Sequence, residues 1–435
     1  VSLKNFRNYE SCEIDLSAGK TILIGENAQG KSNFLEAMEL ISLGKSTRAD
    51  NDAEMILWGK PSLSVRVDVV SRHGDHSLEL ELAKAVPQGR TAGGSKGGRL
   101  KRTVKMNGVT QPNARPLSTA LITVSFKTTD LNLLRGGPKY RRDWIDSIAM
   151  RLRPALHDTY ANYAKTLAQR NKLLKTIFEK GKVTVTDQDE LLVWDKQLAR
   201  FGAGIIKQRV DLLSAVMPVA AEHQRTLSRG TETLSAGYIF RSTDNSNTRN
   251  TSEFDDDDED VAPQGAGDSS AGQSASSGCE SSCAAGLDVQ QAELPDIARF
   301  LLKLLKERRH LEIRRKQTTV GPHRDDISFA INDAEAASYA SQGQQRSLVL
   351  ALKLSELGCV REAYDEAPVL LLDDVLAELD TFRQGLLMSA VGKEMQSIIT
   401  TTHISDFDPF WLDGATVLAV SSGQLAASDQ SKCAQ

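Results

Sequence analysis

The chain has 435 residues, 40% of them apolar and 25% charged, a composition that suits a globular protein of two or three domains. No run approaches the eighteen or so consecutive apolar residues of a membrane crossing, so no membrane role is expected, and five scattered cysteines exclude a disulfide framework. A net charge of −4 hides an asymmetry: eleven Asp and Glu against one Arg between Asp244 and Asp288 give that tract −10, which leaves about +6 elsewhere and permits a nucleic-acid partner without requiring one.

In chain order, Val1 to Tyr9 reads like the end of a strand, and an incomplete N-terminus is expected because the chain begins with Val rather than Met. Thr21 to Gly25, "TILIG", reads as a buried strand running into a loop and then a helix with Phe34, Leu35, Met38 and Ile41 on its apolar positions. The loop, Gly25-Glu26-Asn27-Ala28-Gln29-Gly30-Lys31-Ser32, matches the P-loop pattern G-x-x-x-x-G-K-[ST] at every fixed position. Its backbone N–H groups and the helix start make a positive cradle for phosphates, with Lys31 reaching the β and γ phosphates and Ser32 a Mg²⁺ ion.

Ala85 to Gly98 is rich in Gly, Arg and Lys and reads as a hairpin tip. Residues 1–137 are therefore assigned to a nucleotide-binding head. From Pro138 the spacing becomes helical, and 138–240 is assigned to a helical lobe whose roles range from a structural arm to a clamp around a polymer. The tract 241–288, with its acidic run Asp255 to Asp260 followed by Gly, Ser and Ala, is expected to be disordered, and Cys279-x-x-x-Cys283 inside it is read as neither metal nor redox site. Residues 289–317 form a basic helical return, and 318–435 resumes alternating strands and helices, so the head is split around the lobe.

Gly321-Pro-His-Arg-Asp-Asp326 is readable either as a polar site or as a Gly-Pro turn with Asp caps. Ser341, Gly343 and Gln344 open an apolar helix, and such a start can offer N–H groups and a hydroxyl to a second phosphate site. Val369-Leu-Leu-Leu-Asp-Asp374 is a strand ending in two carboxylates, which suits Asp373 to Mg²⁺ and Asp374 to the attacking water.

This order of P-loop, long insertion, Ser-x-Gly-Gln and paired carboxylates resembles ABC-type ATPases, in which Glu378-Leu-Asp380 looks like the D-loop and His403 like the switch histidine. Within that class the chain resembles the RecF family. The resemblance rests on Leu3-Lys-Asn-Phe-Arg-Asn-Tyr9, on "GENAQGKSNFLEA" with Asn27, Gln29 and Asn33, on Asp130 to Asp146, on Gln169-Arg-Asn171, on Gly321 to Asp326 and on Leu371 to Asp380. It departs at Thr128-Thr129, where the family has Pro-Glu, at Trp144 and in the acidic insertion.

The resemblance implies an α/β fold, a split ABC-type P-loop ATPase head with an inserted helical lobe. It also implies a weak DNA-dependent ATPase that forms an ATP-dependent homodimer on double-stranded or gapped DNA and promotes RecA loading with RecO and RecR. Lys31, Ser32 and Asp373 would then hold MgATP in one subunit, Ser341, Gly343 and Gln344 would cap its γ-phosphate from the other, and Asp374 and His403 would serve hydrolysis. Candidate DNA-phosphate contacts are Arg141, Arg142, Arg308, Arg309, Arg314, Arg315 and Lys316. A bacterial cytoplasm with its nucleoid is the expected location, with a plastid or other organelle as the alternative that the acidic insertion raises. A transporter-type ATPase subunit and a non-hydrolysing nucleotide-binding scaffold stay open as other readings.

Overall fold

The structure is a computed structural model that describes residues 1–16, 18–49, 51–84, 100–241, 288–289, 291–364, 366–392, 395–404, 412 and 414–427. The expectations for the tip at 85–98, for the tract 242–287 and for Cys279 and Cys283 fall outside these residues. No helix among the described residues is long and apolar enough to cross a membrane.

A mostly parallel six-stranded sheet forms the centre of the head. Its spatial order is Gln424–Ala427, Thr416–Ser421, Lys20–Ile24, Ser397–Thr401, Val369–Asp373 and Thr123–Lys127, and only the first of these strands runs antiparallel. Both faces are covered, which is why the strands are almost continuously apolar. Leu23, Leu371 and Ile398 pack on the P-loop helix Lys31–Leu43, while Ile22, Leu370, Leu372 and Ile399 pack on the helices Gln342–Ala363 and Thr381–Val391. The first and last thirds of the chain thus share one sheet, the split head that the motif order implied.

A second six-stranded sheet is antiparallel and lies across the other side of the P-loop helix. Its strands Ser62–Ser71 and Gly74–Lys84 alternate cleanly, so Leu63, Val65, Val67, Leu78, Leu80 and Leu82 face the helix and the charged residues between them face water.

The lobe contains Pro138–Leu152, Leu156–Lys180 and the 43-residue helix Val185–Leu227, joined later by Leu294–Arg315. At about 1.5 Å per residue the long helix reaches some 65 Å. Arg170, fully buried, ties three of these helices to one another and to the chain beyond: its guanidinium meets Asp195 at 2.7 Å, Glu312 at 2.7 Å and Thr318 Oγ1 at 2.7 Å. The lobe is not purely helical. Leu234–Ile239, at the end of the stretch assigned to helices, pairs antiparallel with Asp326–Ile331 and stitches the lobe to the returning head.

Gly321 to Asp326 sits at that seam, where its side chains are packed and hydrogen-bonded. Gly321 has φ +125°, and a Cβ there would stand 2.5 Å from the Tyr163 hydroxyl. Tyr163 Oη lies 2.7 Å from His323 Nδ1, and Tyr238 donates to Asp325 at 2.9 Å. Burial pushes the His323 imidazole down to about 4 and the Asp325 carboxyl up to about 7.

Candidate nucleotide-binding site

The strands Lys20–Ile24, Ser397–Thr401 and Val369–Asp373 are parallel neighbours, so their carboxyl ends share one edge of the sheet. Ligands of open α/β sheets bind at that edge. The P-loop leaves it at Gly25, where no side chain fits: a Cβ would be 2.4 Å from the Val420 carbonyl oxygen. Gly30, at φ +115°, caps the helix start and lets the loop close around its own N–H groups. Ala28 also takes a positive φ, of 63°.

Lys31 is buried beneath the loop, and its Nζ donates to the Gly25 carbonyl at 2.7 Å and the Glu26 carbonyl at 3.0 Å. Ser32 Oγ donates to Asp373 Oδ1 at 2.7 Å, which joins residues 341 positions apart in the chain. Thr400, from the strand between them, donates to the same Asp373 oxygen at 2.9 Å and accepts the Asp374 N–H at 3.0 Å. Asp374 has φ 54°, a left-handed conformation that Asp tolerates better than most residues. Thr400 therefore holds both carboxylate residues in place, and it lies in an otherwise ordinary buried strand where no motif marks it.

The donor set fits Mg²⁺. A hydroxyl and a carboxylate at hydrogen-bond distance are hard oxygen ligands, and Mg²⁺ is commonly bound by one or two protein groups with the remainder from phosphate and water. No cluster of three or more His, Cys, Asp or Glu that could hold a metal occurs among the described residues, so a protein cage of the kind other cations use is not what this edge offers.

The second phosphate-type feature lies elsewhere on the head. Ser341 is the N-cap of Gln342–Ala363 in a reciprocal capping box: the Ser341 N–H donates to Gln344 Oε1 at 2.8 Å and the Gln344 N–H to Ser341 Oγ at 3.3 Å. Gln344 Nε2 also donates to Glu232 at 2.9 Å. Ser341, Gln342 and Gly343 are exposed, and the space around Gly343 is open to 4 Å. The bonds of this turn run to itself, to Glu232 and, through the Gly343 carbonyl, to Ser347 and Arg383, and none of these reaches the P-loop. His403 is exposed just past the strand Ser397–Thr401, its N–H bonded to Thr401 Oγ1 at 3.2 Å.

Of the cations singled out for DNA, three turn inward. Arg141 forms a bidentate pair with Asp326 at 2.8 and 3.0 Å and donates to the Leu133 and Gly136 carbonyls, leaving its side chain 12% exposed. Arg142 Nη1 donates to the Asp325 carbonyl at 2.8 Å, and burial lowers its pKa. Arg309 is bound to the buried Asp195 at 2.9 Å. A helix rich in Arg has the same sequence pattern whether it faces water or a buried carboxylate. Arg308 is half-buried, whereas Arg314, Arg315 and Lys316 are exposed beside the end of Leu156–Lys180, with Lys316 Nζ 4.3 Å from the Phe178 ring centroid.

Other residues at the site were not legible as functional. Asn8 donates to the Gln29 carbonyl at 2.8 Å and accepts from Asn33 at 2.9 Å, Tyr9 donates to the Gly30 carbonyl at 3.0 Å, and Ser422 donates its N–H to Gln29 Oε1 at 2.7 Å.

Comparison with known proteins is consistent with this geometry. The family described as RecF/RecN/SMC N terminal domain matches residues 1–408. A DNA replication and repair protein RecF from Gloeobacter violaceus is 38% identical over 427 residues, covering 98% of this chain and 97% of that protein. The RecF of Trichodesmium erythraeum is 36% identical over 434 residues, with 98% of each chain covered. Among solved structures, the recombination mediator protein RecF of the RecFOR pathway, with ATP, superposes at a TM-score of 0.76 and 28% identity, covering 98% of this chain and 96% of that one. The Gloeobacter violaceus and Trichodesmium erythraeum proteins are cyanobacterial, and the organelle alternative draws no support from them.

Proposed function

The chain belongs to the RecF family, and on that premise we propose that it is an ATP-dependent DNA repair and recombination protein that closes as a homodimer on double-stranded or gapped DNA. The observation that carries this reading is the contact of Ser32 with Asp373 at the mouth of the P-loop, with Asp374 adjacent and Thr400 holding both. In this reading the P-loop N–H groups and Lys31 bind the phosphates of ATP, and Ser32 with Asp373 would hold Mg²⁺, which supplies charge neutralisation on the phosphate oxygens. Asp374 orients the attacking water and His403 stands close to the same sheet edge. An Asp at this place is a shorter arm than Glu, which suits slow turnover and a switch that holds its closed state.

The exposed turn at Ser341, Gly343 and Gln344 supports a dimer. The Ser341 and Gln344 N–H groups close the capping box, and the Gln342 and Gly343 N–H groups with the Ser341 hydroxyl would form a second anion site that the P-loop of the same chain does not use, so a second copy is the natural source of the phosphate. Closing two heads around one nucleotide links ATP binding to a grip on DNA, and hydrolysis to release. Arg314, Arg315 and Lys316 supply the phosphate contacts, which carry no sequence preference. RecO and RecR are the proposed partners and RecA loading the outcome, since the structural relative described above is a mediator of the RecFOR pathway.

The direct test is MgATP turnover with and without gapped duplex at low salt. The reading requires slow turnover that rises with DNA and vanishes in Lys31→Ala. Failure to bind DNA at any salt concentration, with turnover indifferent to it, would leave a nucleotide-binding scaffold.

A further inference from the structure

Peptide planes, more than glycines, decide where a phosphate loop aims its N–H groups. In a trans peptide the C=O and the next residue's N–H point in opposite directions, so pinning a carbonyl from behind aims the N–H forward. Two consecutive carbonyls of this P-loop are pinned in that way. The Gln29 oxygen accepts twice, from Asn8 Nδ2 at 2.8 Å and from the Gly423 N–H at 3.0 Å, which occupies both lone pairs and directs the Gly30 N–H to the opposite side. The Gly30 oxygen accepts from Tyr9 Oη at 3.0 Å as well as from the Phe34 N–H at 3.0 Å, which directs the Lys31 N–H likewise.

The fit around this brace is tight. A Cβ on Gly30 would lie 2.6 Å from Asn8 Nδ2, so the Asn8 amide fills the space a side chain would take. A Cβ on Gly423 would lie 2.3 Å from the Asn8 carbonyl oxygen, so the C-terminal turn touches the same residue. That turn, Ser422 at φ 48° and Gly423 at φ 75°, links Thr416–Ser421 to Gln424–Ala427, while Asn8 lies between Ser2–Phe6 and Tyr9–Glu13. Asn33, the residue after the P-loop serine, donates to Asn8 Oδ1 at 2.9 Å and fixes which way the amide faces. An amide is the side chain this place needs, because it must give one hydrogen bond and take another.

We infer that Asn8 and Tyr9 are positioning residues for the phosphate loop, which they lock from the N-terminal sheet while the turn at Ser422 and Gly423 locks it from the C-terminal end of the chain. Nucleotide affinity then depends on two hairpin turns that touch no phosphate. The inference rests on the reading that the loop takes MgATP.

Two substitutions test it, each measured by calorimetric titration of the full chain with MgATP and by the split between KM and kcat. Asn8→Asp keeps the shape and the bond from Asn33 but sets a carboxylate oxygen against the Gln29 carbonyl. Tyr9→Phe removes one hydroxyl from a buried ring and keeps the core. The expected result is a Kd and KM raised about tenfold or more in Asn8→Asp and several-fold in Tyr9→Phe, with kcat within twofold of wild type. Asn8→Gly is the check against misfolding: if the brace acts only through stability, its melting temperature falls while the Kd of the folded protein stays at the wild-type value, and that result overturns the inference. Unchanged Kd in Asn8→Asp and Tyr9→Phe overturns it too. A wild-type chain that shows no heat and no turnover with MgATP would refute the nucleotide reading itself, and this inference with it.

Discussion

Replacing Arg141 with Ala separates a structural arginine from a DNA-binding one. The Arg141 and Asp326 side chains are 12% and 8% exposed, and removing one partner of a buried pair typically costs about 3–5 kcal/mol. Asp326 keeps two other partners, the Ile327 N–H at 2.8 Å and Arg241 at 3.3 Å, which moves the cost toward the lower end. The Leu133 and Gly136 carbonyls each lose a donor, which moves it back up. A loss of about 3–4 kcal/mol follows, to be read from urea unfolding followed by tryptophan fluorescence, since Trp144 is buried against Phe329 in the same core. DNA affinity of the folded variant stays within twofold of wild type. The double variant Arg314→Ala, Arg315→Ala behaves in the opposite way: stability is unchanged, affinity falls, and the slope of log affinity against log salt becomes shallower by about 2. If Arg141→Ala were as stable as wild type and ten times weaker on DNA, the inward geometry would be wrong in substance.

The seam at Gly321 to Asp326 makes a pH prediction with two opposite signs. His323 has a folded pKa of about 4, below its ordinary 6.5, so its contribution is lost as pH falls from 6.5 toward 4; Asp325, raised to about 7, contributes more stability as pH falls from 7 toward 4. Arg142 acts on both; His323 also faces Tyr163, Arg324 and Arg170, and Asp325 faces Arg209, Tyr238 and Arg241, so in wild type the two slopes nearly cancel, the folded state keeping its proton on Asp325 and the unfolded state on His323. Asp325→Asn is expected to lose stability on acidification and His323→Gln to gain it, each by up to about 1.4 kcal/mol per pH unit; parallel melting profiles would contradict the pairing. Thr400→Val, which strips the Asp374 N–H and Asp373 of a partner, is expected to lower turnover about tenfold with little change in ATP affinity, and an affinity loss as large as the turnover loss would contradict that role.

The parts of the site that lie within a few residues of one another were legible from the sequence. Gly25 to Ser32 is such a piece, because a phosphate cradle needs a fixed local spacing, and the helix start at Ser341 is another, although its reciprocal capping box was not read. The pairing of Ser32 with Asp373 was legible only through motif order, since nothing local at either residue reports a partner 341 positions away. The roles of Asn8, Thr400 and Ser422 were not readable for a related reason: each acts through hydrogen bonds made possible by sheet order, and an Asn, Thr or Ser in a turn or strand has many ordinary uses. The strand Leu234–Ile239 was hidden because its partner strand starts 92 residues on from its own start, beyond the low-complexity tract, so no local turn marked the pairing. Arg141 and Arg309 misled because charge along a helix shows which residues are cationic but not which carboxylates the tertiary fold will bring to them.

In the proposed clamp the turn at Ser341 to Gln344 grips a nucleotide held by a second copy. Molar mass by light scattering, with and without MgATP, tests it on wild type, Asp374→Asn and Gly343→Arg, the last chosen because its side chain enters open space and spares the Ser341 cap. A dimer that needs MgATP, persists in Asp374→Asn and is lost in Gly343→Arg is the result expected. A protein that binds MgATP and stays monomeric in all three would contradict the clamp.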